Sequence, residues 1–273
     1  MIRIGERLRV GIVAKTEFPP ALQAVRKILR MLAGEEALLD SRLAEKLGKR
    51  ASSPDSFKNS DVIVAVGGDG TVLLAQRLAS GVPVLGVHMA GRGFLADVEP
   101  KDLVRAIKAM KSGQLQVVER ERLVATIKKR TLPHALNDVV VCHVDTGRTV
   151  DLRVSVDGGV VMEMKGDGVI VSTPTGSTAY ARAAGGPVLD PFSEAILVVP
   201  VCPTQTRLHP LSVSADSKIA VEVTSPGRVA RVNVDGNQAA TISAGEKLVV
   251  RRSDVPARFF VWGEFYTKLR ERL

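Results

Sequence analysis

Regular alternation of short apolar runs with amphipathic stretches governs the first hundred residues of this 273-residue chain, and then stops. Residues 7–14 (RLRVGIVA) read as a buried strand. Residues 18–33 carry apolar side chains at 22, 25, 28, 29 and 32, the period of an amphipathic helix, with Pro19 and Pro20 in its first turn and Gly34 at its end. A second helix is expected over 35–47, stopping at Gly48, followed by the polar link KRASSPDS. DVIVAV (61–66) is a continuous apolar run, as expected of a parallel strand covered on both faces. It feeds Gly67–Gly70, a helix over 71–79, the strand PVLGV (83–87) and a second glycine-rich turn. Strands and helices at this spacing argue for a parallel sheet with right-handed crossovers.

Past residue 98 the pattern changes. One more helix is expected over 101–110, with Leu103, Val104, Ile107 and Met110 on one face. From Leu115 the chain gives short Val-rich runs separated by turn dipeptides such as Asp157-Gly158, Pro226-Gly227 and Asp235-Gly236. That is the pattern of a mostly antiparallel sheet or sandwich, interrupted only by helical residues at 175–184. The expected organisation is an α/β domain over 1–98 and a mainly β domain over 99–257.

Composition narrows the partners. Lys and Arg number 38 against 29 Asp and Glu, a formal charge of +9. Such a surplus suits nucleic acid, an acidic membrane surface or small anions. Aromatics are only 4%, which weakens base stacking, and the basic residues are dispersed rather than gathered into an arm. No run approaches 18 apolar residues and the N-terminus has no signal pattern, so the expectation is a cytoplasmic protein without a nucleic-acid or membrane partner. Cys142 and Cys202 are too few for a disulfide framework and lack metal-ligand spacing, and no metal site is expected from protein side chains alone. The four histidines have no partner at informative spacing.

Three segments carry chemistry. VIVAVGGDGTVL (62–73) puts three glycines and Asp69 where a buried strand turns into a helix, so that backbone N–H groups can face phosphate oxygens. The competing structural reading is that Asp69 caps the helix and the glycines make a tight turn. GRGFLA, with Gly91, Gly93 and Ala96, matches a relaxed dinucleotide fingerprint, but no acid-ended strand follows at the required distance, so a turn or ligand-lining loop fits better. GDGVIVSTPTGSTAYARAAGGP (166–187) crowds Ser172, Thr173, Thr175, Ser177 and Thr178 into one turn after a buried strand, more hydroxyls than a capped turn needs and enough to meet a sugar or phosphate.

GGDGT (67–71), LND (136–138), TPTGSTAY (173–180) and AGGP (184–187) together resemble the NAD kinases, which phosphorylate the 2′-hydroxyl of the adenosine ribose of NAD. GGDGT alone is shared with diacylglycerol and sphingosine kinases; TPTGSTAY is not. The resemblance runs from about residue 8 to 260. It implies an α/β domain and a β-rich domain, the last residues (about 258–273) packing back on the first, and a site in the cleft between them. It implies that Asp69 and Gly70 belong to the catalytic loop, and that Asn137 and Asp138 hold the dinucleotide. Arg148, Lys165 and Asp167 fall at further ligand positions. Thr178, Ala179, Tyr180, Ala181, Arg182 and Ala183 line the nucleotide, with Cys202 and Asn237 or Gln238 near the other end of that strip. It further suggests a homodimer or homotetramer. Four places depart from the family pattern: Asp138 stands for the usual Glu, His88 for Asn, Arg92 for Leu and His209 for Arg.

The residues make chemical sense in these roles. Phosphoryl transfer needs an acceptor oxygen in line with the donor phosphorus, neutralised charge and a group to receive the hydroxyl proton. Asp69 is the candidate acceptor, the amides of Gly68, Asp69, Gly70 and Thr71 would cradle the phosphates of ATP or polyphosphate, and Mg²⁺ would bridge those phosphates with few protein ligands. Tyr180 could pack its ring on a base or ribose.

Overall fold

A computed structural model describes residues 7–89, 93–145 and 147–272, which fall into two units: 1–119 with 257–273, and 120–256. The first unit is built on β1 (Arg9–Ala14), β2 (Glu36–Leu39), β3 (Val62–Gly67), β4 (Val84–His88) and β5 (Val117–Arg120), with Ala257–Phe260 inserted between β4 and β5, in the order β2-β1-β3-β4-257–260-β5. The pairs β1–β2, β1–β3, β3–β4 and β4 with 257–260 are parallel. Every residue of β3 is buried, because helices cover both faces. α1 (Pro19–Met31) presents Ala21, Ala24, Val25 and Ile28 to the core it shares with β1 and β3, α2 is Ser41–Leu47, α3 is Pro54–Lys58, and α4 (Asp69–Leu78) buries Val72 and Ala75. α5 (Leu103–Lys111) buries Leu103, Ala106, Ile107 and Met110 in the same cluster. A helix at Phe265–Arg272 ends the described chain.

Three differences from the sequence reading have local causes. The helix expected over 35–47 is a strand followed by a helix: Asp40 is extended, and its carboxylate accepts from the N–H groups of Arg42 and Leu43, starting a new helix there. Leu38 and Leu39 are meanwhile buried as strand residues paired with Gly11 and Ile12. The link KRASSPDS is not all coil, since Pro54 opens α3, which buries Phe57. The domain boundary lies at 119/120 rather than 98/99, because α5 shares the first core and the N–H of Val261 bonds to the Gln116 carbonyl (2.9 Å), tying 115–120 to the C-terminal segment.

The second unit holds two six-stranded antiparallel sheets. Its strands are β6 (Leu123–Ile127), β7 (Arg130–Thr131), β8 (Asp138–His143), β9 (Val150–Val156), β10 (Gly159–Gly166), β11 (Gly168–Ser172), β12 (Ala195–Val201), β13 (Leu211–Ser214), β14 (Ile219–Val223), β15 (Val229–Val234), β16 (Asn237–Ser243) and β17 (Lys247–Arg252). The orders are β10-β9-β14-β17-β6-β7 and β13-β12-β11-β8-β15-β16. β9 and β14 alternate buried and half-buried, so one face packs inward, where Leu152, Val154, Val169, Val171 and Val221 share a core. β11 and most of β12 are buried on both faces, because their outer face carries a second apolar cluster of Val140, Ile170, Leu197, Val199 and Val201. Ala181 covers that cluster from α6 (Tyr180–Ala183), which a 3₁₀ turn at Thr175–Thr178 precedes, so the helical segment 175–184 is two short pieces.

Candidate functional site

The acid-bearing loop of the first unit begins where β3 ends. Gly68 is extended and Asp69 is the first residue of α4, so the helix start faces the carboxyl end of the parallel sheet. The N–H groups of Thr71 and Val72 turn back to the Gly68 carbonyl (2.9 and 3.2 Å). Among the described residues, those of Gly68, Asp69 and Gly70 remain the open donors. The Thr71 amide is therefore not available to phosphate as the sequence reading held. A Cβ on Gly67 would lie 2.2 Å from the Thr71 hydroxyl oxygen, so the second strand-end position admits only glycine while Thr71 keeps its rotamer. A groove of about 410 Å³ opens here between Lys15, Thr16, Arg42, Gly68, Gly70 and Thr71.

The Asp69 side chain does not cap its own helix. Its Oδ2 accepts from the N–H of Phe94 (2.7 Å), and its Oδ1 from those of Leu95 (2.9 Å) and Ala96 (3.1 Å). Phe94, Leu95 and Ala96 thus form a backbone cradle for a carboxylate. Gly93 lets the cradle close, since a Cβ there would stand 2.1 Å from Asp69 Oδ1. Gly91 and Arg92, which the sequence reading singled out, lie outside the described residues. On its far side the cradle rests on β4: Asp97 and Val98 donate to the Gly86 carbonyl, and a Cβ on Gly86 would meet the Leu95 carbonyl at 2.8 Å. Oδ2 receives one of the three N–H groups and so keeps an open acceptor position.

In the second unit three sequence segments meet, because β11, β8 and β15 are neighbours in one sheet: Ser172 pairs with Asp138, and Val139 with Val234. The LND turn is held from one side by Asp235, whose carboxylate accepts from the N–H groups of Leu136 (2.8 Å), Asn137 (2.7 Å) and Asp138 (3.2 Å). From the other side the TPTGST turn grips it. Thr173 donates its hydroxyl to the Leu136 carbonyl (2.6 Å) and its N–H to that of Asn137 (2.9 Å), where Ser172 also donates (3.1 Å). Ser177 donates to the Pro174 carbonyl, accepts from Leu189 and is fully buried. The crowded hydroxyls therefore build the turn rather than line a ligand surface. Thr175 Oγ1 is the exception: it is buried with no hydrogen-bond partner among the described residues.

Asp138 is 5% exposed, and no donor among the described residues reaches its carboxylate. Burial, reinforced by the nearby Asp235 charge, pushes its carboxyl up to about 7. Asp235 is raised by burial too, against which its three N–H donors and the buried Arg122 guanidinium act.

Tyr180 is 46% exposed, at the start of α6 over the outer sheet face. Its hydroxyl is raised first by partial burial and then by the nearby Cys142, Cys202, Asp167 and Asp138. Asp167 and Cys202 mark the end away from LND, where the Asp167 N–H meets the Val201 carbonyl, and Lys165 lies on β10 just before them. Cys202 adopts φ 45°, and Gly166 accommodates it, a Cβ there standing 2.8 Å from the Cys202 carbonyl. Beside Tyr180, Thr178 and Ala179 are half-buried and Arg182 and Ala183 are exposed, whereas Ala181 faces inward. Three residues differ from the expected arrangement. Asn237 and Gln238 open β16 at the LND end, not beside Cys202, and the Asn237 amide donates to the Asp235 carbonyl (2.9 Å). Arg148 lines a different groove, about 410 Å³, with His143, Asp145, Arg228 and Thr241, its guanidinium 3.8 Å from Asp145.

Comparison with known proteins settles the family. Residues 10–115 match the model of the ATP-NAD kinase N-terminal domain, and residues 136–261 that of the ATP-NAD kinase C-terminal domain. The chain belongs to the NAD kinase family. The NAD kinase of Methanothermobacter thermautotrophicus is 35% identical over 97% of this chain and 96% of its own length. That of Heliobacterium modesticaldum is 36% identical over 97% and 98%. The crystal structure of yeast NADH kinase complexed with NADH shares the fold, with a TM-score of 0.91 over 98% of this chain and 88% of that one at 23% identity. The NAD kinase from Archaeoglobus fulgidus in complex with ATP superposes with a TM-score of 0.79, 27% identity and 97% coverage of both chains.

In this NAD kinase family member, sequence reasoning missed the residues that hold the motifs. Lys15 follows β1 as Gly68 follows β3, and the register Ala14 to Val66 brings them to the same sheet edge; only knowledge of that pairing would have signalled it. Asp235 is a hairpin turn residue, as the Asp-Gly dipeptide signals, with φ 47°. Its grip on LND had no signal in spacing.

Proposed function

We propose that the chain transfers a phosphoryl group from ATP or polyphosphate to the 2′-hydroxyl of the adenosine ribose of NAD, giving NADP, with Asp69 receiving the hydroxyl proton. The observation that carries the role of Asp69 is its geometry. It is a carboxylate oriented by three backbone N–H groups, with an open acceptor position on Oδ2, at a helix start flanked by Lys15 and Arg42. The open N–H groups of Gly68, Asp69 and Gly70 and those two cations would hold donor phosphates. The ribose oxygen then bonds to the terminal phosphorus as the bond to the leaving phosphate oxygen breaks, and the proton passes to Asp69.

No group of three His, Cys, Asp or Glu among the described residues could hold a metal ion. That donor set fits a divalent cation carried on the donor phosphates, where it would supply charge neutralisation. In the second unit, Asn137 and Asp138 would anchor the dinucleotide, with Tyr180, Thr178 and Ala179 beside a ring or ribose and Lys165 and Asp167 towards the other end. Incubation with NAD, Mg²⁺ and a panel of donors should yield NADP; no NADP from ATP, polyphosphate or any other triphosphate would overturn the reading.

Asp138 makes the dinucleotide site pH-dependent. If its ionised carboxylate accepts ribose hydroxyls, KM for NAD should fall as pH rises through about 7, and Asp138→Asn should flatten that profile. The stability sign is opposite. A buried acid whose folded pKa lies above its ordinary value of 3.8 keeps its full stability below that value and loses it as pH rises to about 7. Asp138→Asn should therefore stabilise the ligand-free protein at pH 8 relative to pH 5, by up to about 3 kcal/mol, read as a difference in Tm or denaturation midpoint.

A further inference from the structure

The N–H groups that hold Asp69 belong to a short loop, and one side of that loop is covered by the last helix of the described chain. Asp97, directly after the cradle, is 15% exposed at its side chain and pairs with Lys268, which is 13% exposed. Phe94, whose N–H reaches Asp69 Oδ2, packs its ring against Phe265 at 6.2 Å between centroids. The Arg272 guanidinium lies 5.3 Å from the same Phe94 ring. All three contacts come from one helix, and all three land on residues within or adjacent to the cradle. The other end of the same C-terminal segment steadies α4: buried Gln76 donates its amide to the Arg258 carbonyl (3.2 Å).

We infer that Lys268 and Phe265 are positioning residues for Asp69: the C-terminal helix presses the Phe94–Ala96 cradle against β4 and so fixes the carboxylate at the helix start. This rests on the reading of Asp69 as the proton acceptor. The cradle is held on its β4 side by backbone bonds to Gly86 and His88, and Gly93 gives it no side chain with which to resist movement. The opposite side depends on a nearly buried ion pair, a tilted ring contact and the Arg272 guanidinium over Phe94. Removing the ammonium leaves a carboxylate in a site where burial already raises its pKa, and the loop moves outward to hydrate it. Three N–H groups move with it. A displacement of about an ångström at a reacting group costs on the order of a hundredfold in rate.

The test uses the full chain. Lys268→Met should lower kcat for NADP formation about ten- to a hundredfold with KM for NAD within twofold, and Lys268→Arg should restore most of it. Phe265→Leu, which keeps an apolar side chain but loses the ring–ring contact, should lower kcat in the same direction. In an Asp69→Asn background neither change should lower kcat further, because the group they position is gone. Exposed Arg270 on the same helix is the control, and Arg270→Met should leave kcat unchanged. The inference falls if Lys268→Met and Phe265→Leu keep full kcat, or if their losses simply add to that of Asp69→Asn. It also falls if kcat returns when assays are run well below their Tm. If Asp69→Asn itself keeps full kcat, it is the catalytic reading that fails, and the two failures are thereby distinguished.

Discussion

Asp69→Asn should lower kcat for NADP formation by about 10²- to 10⁴-fold, the range attributed to a lost proton acceptor in the transition state. The substitution is isosteric, so substrate access is unchanged. An amide can neither receive the 2′-hydroxyl proton nor accept from three N–H groups at once. If the amide oxygen keeps Leu95 and Ala96, the NH₂ group faces the Phe94 N–H at 2.7 Å, donor against donor. A stability loss of about 1–3 kcal/mol should accompany the kinetic defect. KM for NAD should change little, because the residues proposed to anchor the dinucleotide belong to the second unit. Steady-state kinetics and a denaturation curve check all three statements. A kcat within a few-fold of the parent would mean that the proton leaves by another route.

Gly176→Ala should be the most damaging small substitution in the second unit. A Cβ at Gly176 would stand 2.1 Å from the Asn137 carbonyl oxygen, 2.5 Å from its carbon and 2.6 Å from Ser172 Oγ. The obstructing atoms are mainly backbone, so no rotamer change relieves them; either the TPTGST turn or the LND turn must move. Overpacking of this kind costs about 1–3 kcal/mol or more. Here the displaced group is the Asn137-Asp138 pair itself, so NAD binding by calorimetry should weaken at least tenfold. Folded protein that binds NAD with unchanged affinity would show that the junction of the two turns does not set the dinucleotide site.

Legibility in the sequence varied with how local each feature is. The amphipathic period of 19–31 and the buried run of β3 are visible in the chain, and helix and strand follow within a few residues. Residues 35–47 misled because Leu38, Leu39 and Leu43 fit a helical period, while the Asp40 cap that breaks the segment depends on two N–H groups just beyond it. The boundary at 98 misled for another reason. Composition changes there, yet α5 still belongs to the first core, since membership of a core is decided by what a face packs against and not by the neighbouring residues. At the site, glycine spacing pointed to Asp69 and to TPTGSTAY, whereas the hydroxyl count in that segment suggested ligand contacts that the backbone had already taken.

By itself, then, the chain's pattern determined two kinds of packing, parallel α/β and antiparallel β, because side-chain period and turn chemistry are properties of short segments. It also located Asp69 and TPTGSTAY, because residue type at fixed spacing is written in one dimension, and the LND turn through the resemblance those motifs carry. Only the tertiary structure decided that Phe94, Leu95 and Ala96 orient Asp69, that Asp235 holds LND and that Lys268 stands behind the cradle. Those contacts join residues 25–27, 97–99 and 171 positions apart. The donors in the first two are backbone N–H groups, which nearly every residue carries and no residue type announces, so their partners are set by where the sheets bring the chain together.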